Sequence, residues 1–599
     1  MMNAAIKKGA AMTSDLREKQ TTINVQEKAN LIWAIADKLV GVYKPHEYGK
    51  VILPMCVIKR FSDALQETKQ AVLDKNDELN AKGIQVKDGF LKRASGRLFY
   101  NTSKFTLEKL KSDPNNIADN FRSYLQGFSD NVIDIIQKFE FDVQVKKMEE
   151  NDILYSVITE FCTAKANLHP DTVTSADMGY IFEELVRKFS ESYDEQAGAH
   201  FTARDIIYLM TDILVGEDAD KLRGEGITTT IYDMAMGTSQ MLGCMTERLL
   251  ELDENASIKC FGQELNEETF AIAKADMLIK GGDADNMKHG NTLSHDAFEG
   301  YQFDYIISNP PFGIEWKKEQ PEIEKEYKKG DAGRFGVGLP PVSDGQQLFM
   351  LNGIAKLKDT GRMAIIQNGS PLFSGDAGSG QSNIRGYLLE NDWLEAIIQL
   401  PNDMFYNTGI ATYIWVVSKS KPEKRPGMVK LIDASKCFEK RRKSLGNKRN
   451  EFTKACIDLI VKAYLAQEGG TFEQDGKTVE RKDFDRLAFK YSKVTVERPL
   501  CDESGAPILK KGKPQPDAAR RDTEIIPWGT DFAAYMQKNV LPYAPDAWID
   551  EKKTKVGYEI PFTRHFYKYV PPRKSDEIFA HLVEMNKEEE KLMKELFGE

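Results

Sequence analysis

The chain is 599 residues long, 41% hydrophobic and 29% charged, which leaves material for several buried cores and predicts about two to four domains. Its formal charge of −10 and pI near 5.6 exclude a protein that holds nucleic acid by bulk electrostatics, since phosphate binding needs a basic surface. No apolar run approaches the roughly 18 residues of a membrane span, no apolar segment follows Lys7 and Lys8 as in a secretory signal, and the cysteines (Cys56, Cys162, Cys244, Cys260, Cys437, Cys456 and Cys501) form no C-x-x-C pair, so a cytoplasmic protein with neither a disulfide framework nor a metal site is expected.

Taken in chain order, residues 22–168 read as a helical domain. Leu31, Ile32, Ile35, Leu39 and Val40 fall at helical spacing, and strand-like alternation is scarce. The charged stretch 87–97 reads as a loop or a solvated face. Residues 169–474 change character. Short β-rich runs at 228–232, 258–262, 304–307, 362–366, 394–399 and 412–417 alternate with amphipathic helical segments, the pattern of a doubly wound α/β sheet. The last run follows a turn at Asn407-Thr408-Gly409 and suits an antiparallel strand near the end of that sheet. Beyond it, Lys440, Arg441, Arg442, Lys443, Lys448 and Arg449 form the most basic short segment of the chain, a solvated linker or a phosphate contact. Residues 475–599 are rich in Pro, Lys and aromatics and close on a helix. There Ile578, Leu582, Met585, Leu592 and Leu596 follow heptad spacing, a seam for its own domain or for another helix.

Four strand ends carry chemistry. The first runs into Asp233-Met234-Ala235-Met236-Gly237-Thr238-Ser239-Gln240, where Gly237 allows a ligand close to the backbone at the carboxyl end of the sheet. The second ends at Gly262-Gln263-Glu264, which puts Glu264 where dinucleotide folds place the carboxylate that accepts from ribose hydroxyls. A third end at Gly290-Asn291-Thr292-Leu293 sets Asn291 near an adenine. The strand ending at Ile307 then opens into Ser308-Asn309-Pro310-Pro311-Phe312-Gly313. Pro310 and Pro311 fix the backbone, so the Pro310 carbonyl and the Asn309 amide oxygen offer two aimed acceptors. Together they can take both hydrogens of an exocyclic NH2 group and turn its lone pair towards a methyl donor, while Phe312 gives a stacking face to a base that has left its helix. An isolated Asn-Pro-Pro is an ordinary turn, and its place after Gly237 and Glu264 is what gives it meaning. Adenine N6 and cytosine N4 fit this clamp equally.

Two other signals are set aside. The stretch Gly375 to Ser382 resembles a phosphate loop, but Gln381 stands where a Lys must reach the phosphates. His289 and His295 have no third ligand nearby in the sequence.

Over almost its whole length the chain resembles the modification (methyltransferase) subunit of type I restriction-modification systems. Ala34-Ile35-Ala36-Asp37-Lys38-Leu39 and the stretch 48–61 are similar to that family's helical domain, and Ala199-His200-Phe201-Thr202-Ala203-Arg204 resembles its cofactor segment ahead of the first strand. Asp344-Gly345-Gln346-Gln347-Leu348-Phe349, Ile384-Arg385, and Leu400-Pro401-Asn402-Asp403-Met404-Phe405-Tyr406 through Gly409-Ile410 match its later motifs. The family's Asp-Pro-x-x-Gly-Thr-Gly-Gly is here Asp233 to Gln240, with Ser239 and Gln240 at the two last glycines, and its Thr-Pro is Thr202-Ala203.

The resemblance implies a Rossmann-like class I fold with a seven-stranded doubly wound sheet, an N-terminal helical domain and a C-terminal helix that binds a specificity subunit. It implies transfer of methyl from S-adenosylmethionine to adenine N6 in double-stranded DNA, by a complex of two such subunits with one specificity subunit, to which restriction subunits add. Cofactor contacts then fall on Ala199, His200, Phe201, Thr202, Ala203, Arg204, Thr238, Ser239, Gln240 and Glu264, and the target clamp on Asn309, Pro310 and Phe312. The competing expectation is a binding module, a methyltransferase fold degenerate at Ser239-Gln240 that keeps only assembly and DNA contacts.

Overall fold

The computed structural model describes residues 35–173, 177–178, 181–182, 184–185, 202–218, 222, 226–406, 408–421, 425–569 and 571–598. Ala199, His200, Phe201 and Asn407, together with the apolar residues expected to open the N-terminal helical pattern, Leu31 and Ile32, lie outside that set.

The N-terminal domain is helical, but the residues whose spacing predicts it do not share one long helix: Ile35 opens a short 3-10 turn, Ile35–Lys38, and Val40 lies beyond it in an isolated bridge and is exposed. Its helices include Gly49–Ala64, Lys69–Ala81, Ile117–Gln126, Asp130–Lys138, Phe141–Glu150 and Leu154–Phe161. Their apolar stripes bury Val57, Phe61, Phe121, Phe141 and Phe161 in one core with Phe99 from a connecting segment, where Phe61 and Phe99 meet edge to face at 4.7 Å. That core also takes in Ala271, Ile272, Ala275 and Leu278 from the helix Glu267–Ile279 of the sheet region. The helical domain is therefore packed on its neighbour rather than separate. Lys274–Asp134 at 2.6 Å and Lys138–Glu267 at 3.1 Å edge the contact. The charged stretch read as a loop or solvated face is a short helix, Asp88–Ser95, that buries only Leu91 and Ser95.

The strands of the second region are β1 (Thr228–Asp233), β2 (Ser257–Glu264), β3 (Met287–His289), β4 (Phe303–Ser308), β5 (Leu357–Asn368), β6 (Leu394–Gln399), β7 (Thr412–Ser418), β8 (Met428–Asp433), β9 (Glu439–Leu445), β10 (Lys448–Glu451), β11 (Gly470–Gln474) and β12 (Lys477–Asp485). All but β9 and β10 form one ten-stranded sheet in the order β11-β12-β8-β6-β7-β5-β4-β1-β2-β3. The expected seven strands are its β3-to-β6 portion. Three more continue it because β8 pairs parallel with β6 and β12 pairs antiparallel with β8. The antiparallel strand expected near the sheet's end, β7, sits between β5 and β6, where every one of its residues is buried. The division expected at 474 falls in the turn of the β11–β12 hairpin, so the sheet runs on to Asp485.

β1 pairs parallel with β2 on one side and with β4 on the other. The chain thus winds outward through β2 and β3, then returns to the far side of β1. Such a reversal of winding opens a crevice at the carboxyl ends of the two strands, and both the Gly237 turn and Asn309 follow directly from them.

The next segment carries a small antiparallel sheet of Asp522–Pro527, Lys490–Glu497 and Trp548–Tyr558 over its own core of Val494, Val496, Ile526, Met536 and Val540. The buried Arg385 guanidinium donates to the Tyr558 carbonyl at 2.7 Å and to that of Pro371 at 2.9 Å. Residues Ile560–Glu599 form a second unit that ends on the helix Ser575–Phe597. The heptad residues Ile578, Leu582, Met585, Leu592 and Leu596 are exposed on it. No described helix is long and apolar enough to cross a membrane.

Candidate active site

β1 ends on Asp233, whose carboxyl is buried. Burial pushes it up to about 7, against hydrogen bonds from Ser308 and the Ala235 N–H and helped by the nearby charge of Glu264. The Ser308 hydroxyl donates to Asp233 Oδ1 at 2.7 Å and the Ala235 N–H donates at 3.1 Å. This cross-tie joins the ends of β1 and β4.

The turn that follows is held in the left-handed region at two residues, Gly237 with φ +52° and Ser239 with φ +64°. Gly237 takes that conformation freely; Ser239 takes it at a cost of about 1–2 kcal/mol. Ser239 keeps the backbone that a glycine would adopt, so replacing the family's glycine leaves the turn intact. Its Oγ is buried and makes no hydrogen bond among the described residues. Met236 folds beneath the turn against Gly262, where a Cβ would stand 2.2 Å from the Met236 sulfur and force that side chain to move.

Glu264, at the end of β2, is buried and holds this turn. Its Oε2 accepts the Gly237 N–H at 2.9 Å, and its Oε1 accepts the Asn266 N–H at 2.8 Å. A carboxylate has about four lone-pair sites, so two further donors can still be received. At the third strand end the Gly290 N–H donates to the Glu264 carbonyl at 2.8 Å, which brings Asn291 to the rim. Asn291 Oδ1 accepts from Leu293 N at 2.9 Å and its Nδ2 donates to Glu319 at 2.9 Å, so its side chain shapes the turn. His289 meets the Leu265 carbonyl at 2.9 Å and His295 meets Ser294 Oγ at 2.8 Å, which accounts for both as polar residues with local partners.

β4 delivers Asn309. Its Nδ2 donates to Thr202 Oγ1 at 2.8 Å, and its Oδ1 is buried without a hydrogen-bond partner among the described residues. A buried, unmatched amide oxygen costs about 1–3 kcal/mol. Such a cost persists where a ligand donor completes the pair. Pro310 is buried and Pro311 half-buried. Phe312 is half-buried and rests edge to face on Phe405 at 6.2 Å.

Thr202 precedes Ala203, which caps the helix Arg204–Gly216. Arg204, Thr238 and Gln240 line one cavity with Glu247, Asp276 and Lys280. Arg204 of the cofactor segment and Thr238 and Gln240 after Gly237 therefore share one wall, with Glu264 bonded to the turn and Asn309 to Thr202.

Sequence reasoning missed four participants. Ser308 and Phe405 were visible within motif stretches but carried no assigned task. Asp205 carried no signal, and Lys448 was read only as part of the basic segment, because their 2.9 Å ion pair joins residues far apart in the chain.

The site offers a buried acceptor aimed beside an aromatic ring, and a carboxylate-held turn at the next strand. This suits a donor bearing hydroxyls in one half and a planar amino-bearing ring in the other.

Residues 174–497 match the N-6 DNA Methylase family, and residues 28–161 match the HsdM N-terminal domain. The chain is 24% identical over 469 residues to the type I restriction enzyme MjaIX methylase subunit of Methanocaldococcus jannaschii, covering 75% of this chain and 78% of that one. It is also 24% identical over 540 residues to the MpnII methylase subunit of Mycoplasma pneumoniae, covering 81% and 92%. Among solved structures, a type I restriction-modification methyltransferase subunit from Streptococcus thermophilus superposes with a TM-score of 0.58 at 24% identity, over 77% of this chain and 96% of that one, a likeness of fold.

Proposed function

Because the chain belongs to the N-6 DNA methylase family and is a type I restriction-modification methylase subunit, we propose that the crevice between β1 and β4 is where it methylates adenine. The acceptor is the N6 amino group, which resolves the choice the clamp alone left open. The observation that carries the site assignment is the buried, unmatched Oδ1 of Asn309 at the end of β4.

S-adenosylmethionine, when bound, supplies the methyl group. The residues present suit it. Glu264 has acceptor capacity left for ribose hydroxyls, Ser239 has an unmatched buried hydroxyl for the methionine part, and the remaining contacts assigned to the cofactor are Thr202, Ala203, Arg204, Asp233, Gly237, Thr238, Gln240 and Asn291.

On the acceptor side, Asn309 Oδ1 takes one N6 hydrogen and the Pro310 carbonyl the other. The lone pair of N6 is thereby held out of conjugation with the ring and forms the new N–C bond as the S–C bond breaks. The methylated nitrogen then carries an extra proton and releases it to solvent, so no strong base is needed. Phe312, braced by Phe405, stacks on the flipped base.

The chain's acidic balance fits a subunit that leaves sequence reading to a specificity subunit, in a complex with a second copy of itself and, in some assemblies, with restriction subunits. The exposed heptad face of Ser575–Phe597 is the surface offered to the specificity subunit.

Tritiated-methyl incorporation into DNA by the purified complex tests the site. Asn309→Ala should lower it by about 10²–10³-fold, the scale seen when one aimed group that stabilises the transition state is lost, with cofactor binding retained. Equal incorporation by both proteins would overturn the assignment.

A further inference from the structure

We propose that the β9–β10 hairpin is a phosphate clamp, gripping the DNA backbone on either side of the adenine held by Asn309. The inference rests on the methyltransferase reading and adds to it a DNA-contacting element.

The hairpin concentrates Lys440, Arg441, Arg442, Lys443, Lys448 and Arg449 in a chain of charge −10. Two of these cations are committed to structure. Lys448 is buried against Asp205 at 2.9 Å and donates to the Met404 carbonyl at 3.1 Å, and Arg441 pairs with Glu451. Lys440, Arg442, Lys443 and Arg449 are exposed and have no carboxylate partner among the described residues. Cations left unneutralised on an acidic protein focus the local field on an anion.

The hairpin's position decides which anion. Its backbone is fastened to the loop before β7, where Arg449 N and Asn450 N donate to the Asp403 carbonyl at 2.9 and 3.1 Å and Asn447 N donates to that of Tyr406 at 2.9 Å. The Asn450 side chain adds a bond to the Asn402 carbonyl at 2.8 Å. That loop carries Phe405, on which Phe312 rests. By a second route, Lys448 grips Asp205 in the first turn of the helix that follows Thr202, and Thr202 holds Asn309. Two independent connections thus join the hairpin to the base clamp. A nucleotide rotated out of its duplex takes its two flanking phosphates with it, and contacts to those phosphates position the strand without reading its sequence.

The test uses the full-length chain in its complex with the specificity subunit. The variant combines Lys440→Ser, Arg442→Ser, Lys443→Ser and Arg449→Ser, all at exposed positions. Methylation is measured against DNA concentration at several salt concentrations, and S-adenosylmethionine binding by calorimetry. The expected result is a KM for DNA raised at least tenfold, kcat within about twofold of the unaltered complex and cofactor affinity unchanged. The slope of log affinity against log salt should fall by about 0.9 for each phosphate that the variant no longer neutralises. An unchanged KM and salt slope would overturn the proposal, as would loss of co-purification with the specificity subunit, which would make the hairpin a protein contact. Absence of methylation by the unaltered complex would instead strike the underlying enzymatic reading, and the clamp with it.

Discussion

Replacing Ser239 by glycine should stabilise the ligand-free chain and weaken its hold on S-adenosylmethionine, two effects of opposite sign from one side chain. Ser239 sits at φ +64°, a conformation costing about 1–2 kcal/mol for a residue with a Cβ. Its buried hydroxyl has no partner among the described residues, and a desolvated, unmatched polar group costs about 1–3 kcal/mol. Glycine removes both costs but adds about 0.5–1 kcal/mol of backbone entropy lost on folding. The balance favours Ser239→Gly by about 1–4 kcal/mol, and at roughly 2 °C per kcal/mol for a large domain the melting temperature should rise by about 2–8 °C. In the bound state the hydroxyl is proposed to meet the charged methionine part. Losing such a bond costs about 1.5–3 kcal/mol, so Kd should rise at least tenfold. Thermal melts without ligand and titration calorimetry with it read the two effects separately. A melting temperature that stays level or falls would refute the strain argument, and an unchanged Kd would refute the role given to the hydroxyl.

Asp233 gives a pH signature. Its folded carboxyl titrates at about 7 against 3.8 for the free group, so the folded chain keeps a proton that the unfolded chain has released. The stability it contributes is complete below about pH 3.8 and is lost as pH rises through 7, on the order of 4 kcal/mol in all. Asp233→Asn, which cannot ionise, should therefore unfold later than the unaltered protein in urea at pH 8, with the gap closing towards pH 5; a constant gap contradicts this. Glu264→Ala strips the Gly237 and Asn266 N–H groups of their acceptor and should abolish one-site binding of S-adenosylmethionine in calorimetry while lowering stability by about 2–4 kcal/mol. Full binding by that variant would remove Glu264 from the site. Truncation after Pro572 deletes the exposed heptad helix and should end co-purification with the specificity subunit, and unchanged co-purification would reassign that surface.

The parts of the site that the sequence made legible are those where a residue acts within its own turn. Gly237, Glu264 and Asn309 each follow a strand whose apolar run announces its end, and the observed strands match the expected ones within a residue or two at most boundaries. β5 is an exception. It begins at Leu357, five residues before the expected Arg362, because Leu357 pairs with Phe303 and residues 358–361 bulge out before the ladder resumes at Arg362.

The extension of the sheet was not legible for a similar reason. β12 alternates Val479 and Arg481 inward with charged residues outward, and a buried arginine looks like a surface one until its partners are known. Arg481 spends its guanidinium on the Ala463 and Ala466 carbonyls and on Asp483. The basic hairpin reads as a linker because its charges mask the strand pattern, and the link from Thr202 to Asn309 joins residues no local spacing relates. At the carboxyl end the heptad pattern showed the helix but not what covers it.

The hairpin β11–β12 has a bearing on how the protein avoids open-ended pairing of sheet edges. β8 buries Val429, Leu431 and Ile432, and without β12 its outer row of N–H and C=O groups would be a bare apolar ledge, the kind of edge that templates chain-to-chain stacking. β12 takes up that row, and the new margin is β11, a short Gly-Thr-Phe-Glu-Gln strand that is mostly solvent-facing and carries little to invite another copy. A chain cut at 474 would keep every residue of the crevice yet lose this cover, and precipitation rather than inactivity would be its first defect.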